Sequence, residues 1–88
     1  MAGITVDTDA LQQAANALST YIESVSDSIQ KMKDAAIDCS DNMGSDAYSQ
    51  KAIEELEVCA QELSITLRNA EELRSKILAR KQQIEHSI

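Results

Sequence analysis

From Leu11 onward, apolar side chains return after four positions and then after three: Leu11, Ala15, Leu18, Ile22, Val25, Ile29, Met32, Ala36 and Cys39. A four-three rhythm sustained over four repeats is a heptad seam, the mark of a helix packed lengthwise against another helix. A second, smaller row at Ala14, Ala17, Tyr21 and Ala35 widens that face. The extra width leaves room for more than one neighbour.

The second half of the chain carries its own seam, Ile53, Leu56, Cys59 or Ala60, Leu63, Leu67, Ala70, Leu73, Ile77 and Ile84, interrupted by Arg80 and Lys81. Val58, Ile65 and Leu78 lie off that line. Together they amount to more apolar surface than one facing helix would cover.

Between the seams runs Ser40-Asp-Asn-Met-Gly-Ser-Asp-Ala-Tyr48, with Gly44 the one interior glycine of a chain that has no proline. Asp, Asn and Ser bond readily to nearby backbone, and glycine takes the left-handed conformation that closes a helix C-terminus. The segment therefore reads as a helix stop followed at once by a helix start, with Ser45 or Asp46 as the cap. At the other end Asp7 suits an N-cap, Asp9 adds negative charge to the first turn, and Val6 and Leu11 hold the staple positions.

These signals predict an all-α fold in a single domain of 88 residues. Helix one covers about residues 8–40, the turn about 41–45 and helix two about 46–87, giving a hairpin of two long antiparallel helices. The surplus apolar face predicts that two hairpins pair into a four-helix bundle. The arms are unequal, roughly 50 Å against roughly 60 Å at the helical rise per residue. The excess, Arg80 to Ile88, reads as a frayed end by default, or, through Ile84 and Ile88, as a signal offered to another molecule.

Composition agrees with narrow helix seams: no Trp or Phe, two Tyr, and many Ala, Ser, Glu and Gln. A chain this short buries little surface alone, so a partner or a second copy is expected. The net charge of −7 argues against phosphate-backbone binding, which needs a basic surface. Of the basic residues, Arg68, Arg74, Lys76, Arg80 and Lys81 fall in the last stretch, where cations suit the negative end of a helix.

Candidate chemistry is sparse. His86 occurs singly near a terminus and reads as a solvated helix-end residue. The group Asp38, Asp41, Asn42 and Asp46 lacks calcium-loop spacing, since the sixth residue from Asp38 is Met43 rather than glycine. Cys39 and Cys59 have no C-x-x-C pairing. In a hairpin folded at Gly44 they lie about 11 residues apart along the axis, or ~17 Å, too far for a disulfide. Both read as small apolar core residues. Glu54, Glu55, Glu57 and Glu62 read as solvated charges near a helix start. No catalytic residues, metal ligands or cofactor are expected. Residues Met1 to Ala10 have neither the basic start nor the apolar run of a cleaved signal, and no segment is long enough to insert in a membrane.

Length, lead-in, capped helix, glycine corner and long second helix together resemble the WXG, or early-secreted-antigen-like, family of type VII secretion proteins. The resemblance covers the whole chain in layout and is specific at Asn42, Met43, Gly44 and Tyr48, where Met43-Gly44-Ser45-Asp46-Ala47-Tyr48 looks like the Gly-Ser-Glu-Ala-Tyr segment that opens the second helix in such proteins. Ile4 to Leu11 fits their usual start. Two features depart from the pattern. Asn42 stands where the family has tryptophan, and no aromatic residue follows Tyr48 to begin the usual aromatic-x-x-x-acid secretion signal.

The resemblance implies a protein that is cytoplasmic before export and leaves without a cleavable signal peptide. The missing signal shifts the expectation toward a helical partner that pairs with an LXG-type toxin or with a related helical-hairpin protein, beside a secreted homodimer. Leu11, Leu18, Ile22, Val25, Ile29, Met32, Leu56, Leu63, Leu67, Leu73 and Ile77 are the expected core and interface. The alternatives from other classes are a type III secretion chaperone-like protein and a generic cytosolic coiled-coil adaptor.

Overall fold

The computed structural model describes residues 7–42 and 46–87. The lead-in, the turn residues Met43, Gly44 and Ser45, and Ile88 lie outside them. Two helices make up the fold: α1, Thr8–Asn42, and α2, Ala47–His86. They pack antiparallel as a rod of 69 × 16 × 14 Å. No strand occurs among the described residues.

Each helix starts at an aspartate, for the same physical reason. The first N–H groups of a helix have no intrahelical acceptor, and a short carboxylate just ahead of them supplies one. Asp7 accepts from the Asp9 N–H through Oδ1 at 2.9 Å, while its carbonyl accepts from the Leu11 N–H at 3.2 Å. Asp46, extended at φ −72° and ψ 166°, accepts from the Ser49 N–H at 2.7 Å. The cap of α2 is thus Asp46, and its first helical residue is Ala47.

The ends differ from the sequence expectation in two places. Asn42, placed in the turn by sequence, is the last residue of α1, and its Nδ2 donates to the Asp38 carbonyl at 3.1 Å. A side-chain amide that donates back to the carbonyl four residues earlier reinforces this last turn, and the helix runs past residue 40. The segment read as a frayed tail is instead helical through His86, with the Ser87 N–H closing on the Ile84 carbonyl at 3.2 Å. Ile84 and Lys81 keep partial burial there.

The core is thin. Its buried apolar members are Ala15, Val25, Ile29, Ala36, Ala60 and Ala70, four of the six being alanines. Alanine at a seam position lets two backbones approach closely but buries little area. Val25, Ile29 and Ala60 form the centre, packed by Met32, Leu63 and Leu67. A fully buried large aliphatic side chain contributes about 1.5 to 3 kcal/mol. Here most of the large seam residues fall short of full burial, because one facing helix covers one side of each.

Candidate association surface

The face with functional potential is what the hairpin leaves uncovered along its seam. On α1, Leu11, Leu18, Ile22 and Met32 are half-buried, and Val25 and Ile29 are buried. On α2, Leu56, Leu63, Leu67 and Ile77 are half-buried. Leu73 departs from the expected seam: it is 49% exposed.

The reason lies in the register. Once Ala60 rather than Cys59 takes the seam position, the four-three rhythm runs Leu56, Ala60, Leu63, Leu67, Ala70, Arg74, Ile77, Lys81 and Ile84. Arg74 and Lys81 therefore occupy seam positions, and Leu73 falls on a flank. Arg74 reaches across the hairpin and donates from Nη1 to Ser19 Oγ at 3.1 Å. Lys81, its side chain 23% exposed, directs Nζ to the Glu85 carboxylate. Both place a long aliphatic stem on the seam and a charged head at its margin. An unbroken apolar pattern is what sequence reading looks for, so two cations inside the rhythm conceal it.

Cys59 corrects a second expectation. It is exposed, while Cys39 is half-buried, and both thiols are free. The smaller row on α1 also turns outward: Ala14, Ala17 and Tyr21 are exposed, and only Ala35 is half-buried. Tyr48, one of the residues carrying the family resemblance, stands 89% exposed at the start of α2. Asn42 ends α1, and Met43 and Gly44 fall outside the described residues.

The electrostatics near the turn centre on Asp46. Its carboxyl is held below the usual carboxylate range, chiefly by the Ser49 backbone N–H, then by the Ser49 side chain, and to a lesser degree by the Tyr48 backbone N–H, with desolvation opposing them. The Asp27–Lys31 pair at 3.0 Å and the Lys81–Glu85 pair at 3.2 Å are both spaced i, i+4 along their own helix. Exposed pairs of that kind add about 0.3 to 0.5 kcal/mol each.

Among the described residues no group of three or more His, Cys, Asp or Glu is placed to hold a metal ion. No described helix is long and apolar enough to cross a membrane. No family model, no curated protein and no solved structure matches the chain. What the described residues present is a rod with partly open aliphatic seam residues and exposed apolar side chains on its flanks.

Proposed function

We propose that this chain is a small type VII secretion protein that works by helix–helix association, as a secreted WXG-like factor or as the targeting partner of an LXG-type toxin. The observation that carries the association is the surface left over by the hairpin. Tyr21, Val58, Ile65, Leu73 and Leu78 are 38 to 53% exposed, apolar surface that the contact between the two helices leaves uncovered. The assignment to type VII secretion is supported by the resemblance at the corner and by the two-helix layout.

In this reading the half-buried Leu18, Ile22, Leu56, Leu63, Leu67 and Ile77 gain their remaining burial from a second hairpin. The protein performs no bond chemistry. It completes a rod thick enough to be stable and presents that rod to an export machine.

The test is export. An epitope-tagged chain is expressed in a bacterium with an active type VII system, with and without the system's ATPase, and culture medium is compared with cells. The expected result is ATPase-dependent appearance in the medium, alone or with a co-expressed LXG-type toxin. Leu63→Asp, which sets a charge on the seam, should abolish both association and export. Retention of the wild-type chain in the cells, bound only to a cytosolic complex, would overturn the secretion assignment in favour of an adaptor.

A further inference from the structure

Beyond the central cluster, the two sides of the seam stop matching. Toward the open end α1 carries Ile22, Leu18, Ala15 and Leu11, aliphatic at every position. Facing them, in the register that sets Arg74 beside Ser19, α2 carries Ala70, Arg74, Ile77, Lys81 and Ile84. Among the described residues of this end no large side chain is buried: Ala15 is 2% and Ala70 7% exposed, while Leu11, Leu18, Ile22, Ile77 and Ile84 are only partly covered. The centre differs, because there Val25 and Ile29 are buried and packed by Met32, Leu63 and Leu67.

The polar groups of the open end bind its helices together weakly. Arg74 Nη1 reaches across the hairpin to Ser19 Oγ at 3.1 Å. Gln12 donates instead to Asn16 Oδ1, Thr20 to the Asn16 carbonyl and Ser87 to the Gln83 carbonyl, each within its own helix. Lys81 holds a seam position with its side chain 23% exposed, yet its charge is answered by Glu85 of α2. It gives α1 only its aliphatic stem.

Two opposing terms follow. Closing this end covers aliphatic surface in part, but it also draws two cations partly out of water, and separating the helices returns their hydration. At the centre no such cation stands in the seam. At the other end the chain itself joins α1 to α2, which restricts how far they can part.

We propose that the open end is a hinged clasp. Residues 70–86 of α2 part from residues 8–22 of α1 as one unit, about the cluster at Val25, Ile29 and Ala60, with the Arg74–Ser19 bond as the latch. Opening of this kind is a sub-global step, easier than unfolding of the whole. Each released segment continues a helix already nucleated at the centre, so parting needs no loss of the rest of the hairpin. It uncovers the aliphatic face of Leu11, Ala15, Leu18 and Ile22 in one movement. The inference stands on the hairpin alone, so failure of the export reading leaves it intact.

The test is amide hydrogen exchange of the full chain, read residue by residue by NMR at low denaturant. Residues 11–22 and 70–84 should share one opening free energy, below that of residues 25–32 and 60–67. Two substitutions then report across the hairpin, each on the helix it does not alter. Lys81→Leu, which sets an aliphatic residue in the seam, should slow exchange of residues 11–22 of α1 by roughly tenfold, the order expected from one added aliphatic contact. Ser19→Ala, which removes the acceptor of the latch, should speed exchange of residues 70–84 of α2 several-fold. Residues 25–32 should keep their rates in both. Protection that rises smoothly from the termini to the centre, equal protection of both regions, or substitutions that act only on their own helix would overturn the clasp.

Discussion

Arg74 on α2 donates from Nη1 to Ser19 Oγ on α1, 3.1 Å away and 55 residues distant in sequence. It does so from a seam position, where the rhythm would otherwise put an aliphatic residue. A directional bond in an alanine-rich seam discriminates between registers that apolar burial alone leaves nearly equal in energy.

Arg74→Ala should therefore cost about 1 kcal/mol, from the lost bond and the lost packing of the stem. Arg74→Leu should recover most of that loss, since apolar burial replaces the bond, while relaxing the register. Thermal melts of both variants check the energies. If Leu proves as destabilising as Ala, Arg74 is not a seam residue.

Ile29 sits in the central cluster at 7% exposure, and Ile37 on the same helix is 59% exposed. Ile29→Ala should cost about 2 kcal/mol or more, within the range for truncation of a buried aliphatic residue. Ile37→Ala should change stability by less than about 0.5 kcal/mol. Urea unfolding followed by circular dichroism distinguishes them, and equal losses would place the core elsewhere.

At the corner, Asp46→Ala removes the side-chain acceptor of α2 and should lower the melting temperature, whereas Asn at the same position keeps the cap. The carboxyl is more acidic folded than unfolded, because the Ser49 N–H favours its charged form. A depressed folded value means that the contribution is fully present above the ordinary carboxylate value of about 4. It is lost as the pH falls below that value and through the lower folded one. Melting temperatures of wild type and Asp46→Asn between pH 7 and pH 2 should converge toward the acid end. A constant difference over that range would remove the cap from the explanation.

The two thiols should differ in reactivity when the hairpin is dilute enough to be alone. Cys59 is exposed and Cys39 half-buried, so an uncharged alkylating reagent should modify Cys59 first. Mass spectrometry of the alkylated peptides measures both rates. Faster modification of Cys39 in the dilute chain would contradict the register of α2.

The α1 seam from Leu11 to Cys39 was readable directly, because each of its positions is apolar and the rhythm has no gap. On α2 the rhythm is ambiguous at Cys59 and Ala60 and is crossed by Arg74 and Lys81. A one-residue choice there turns Leu73 and Cys59 from core to surface. The helix ends were legible only to within a few residues, since Asn42 closes α1 through a side-chain bond that composition does not display.

Local chemistry in the sequence determined that this chain forms two long helices, and roughly where: periodicity sets the faces, and aspartates ahead of the first orphan N–H groups set the starts. Tertiary packing decided which residues stay exposed. The approach of two backbones at Ala15, Ala36, Ala60 and Ala70 fixes one rotation of α2 against α1. That rotation places Arg74 beside Ser19 and leaves Tyr21, Cys59 and Leu73 open to solvent on one flank. Neither helix specifies that flank alone, because it exists only at the common register of both.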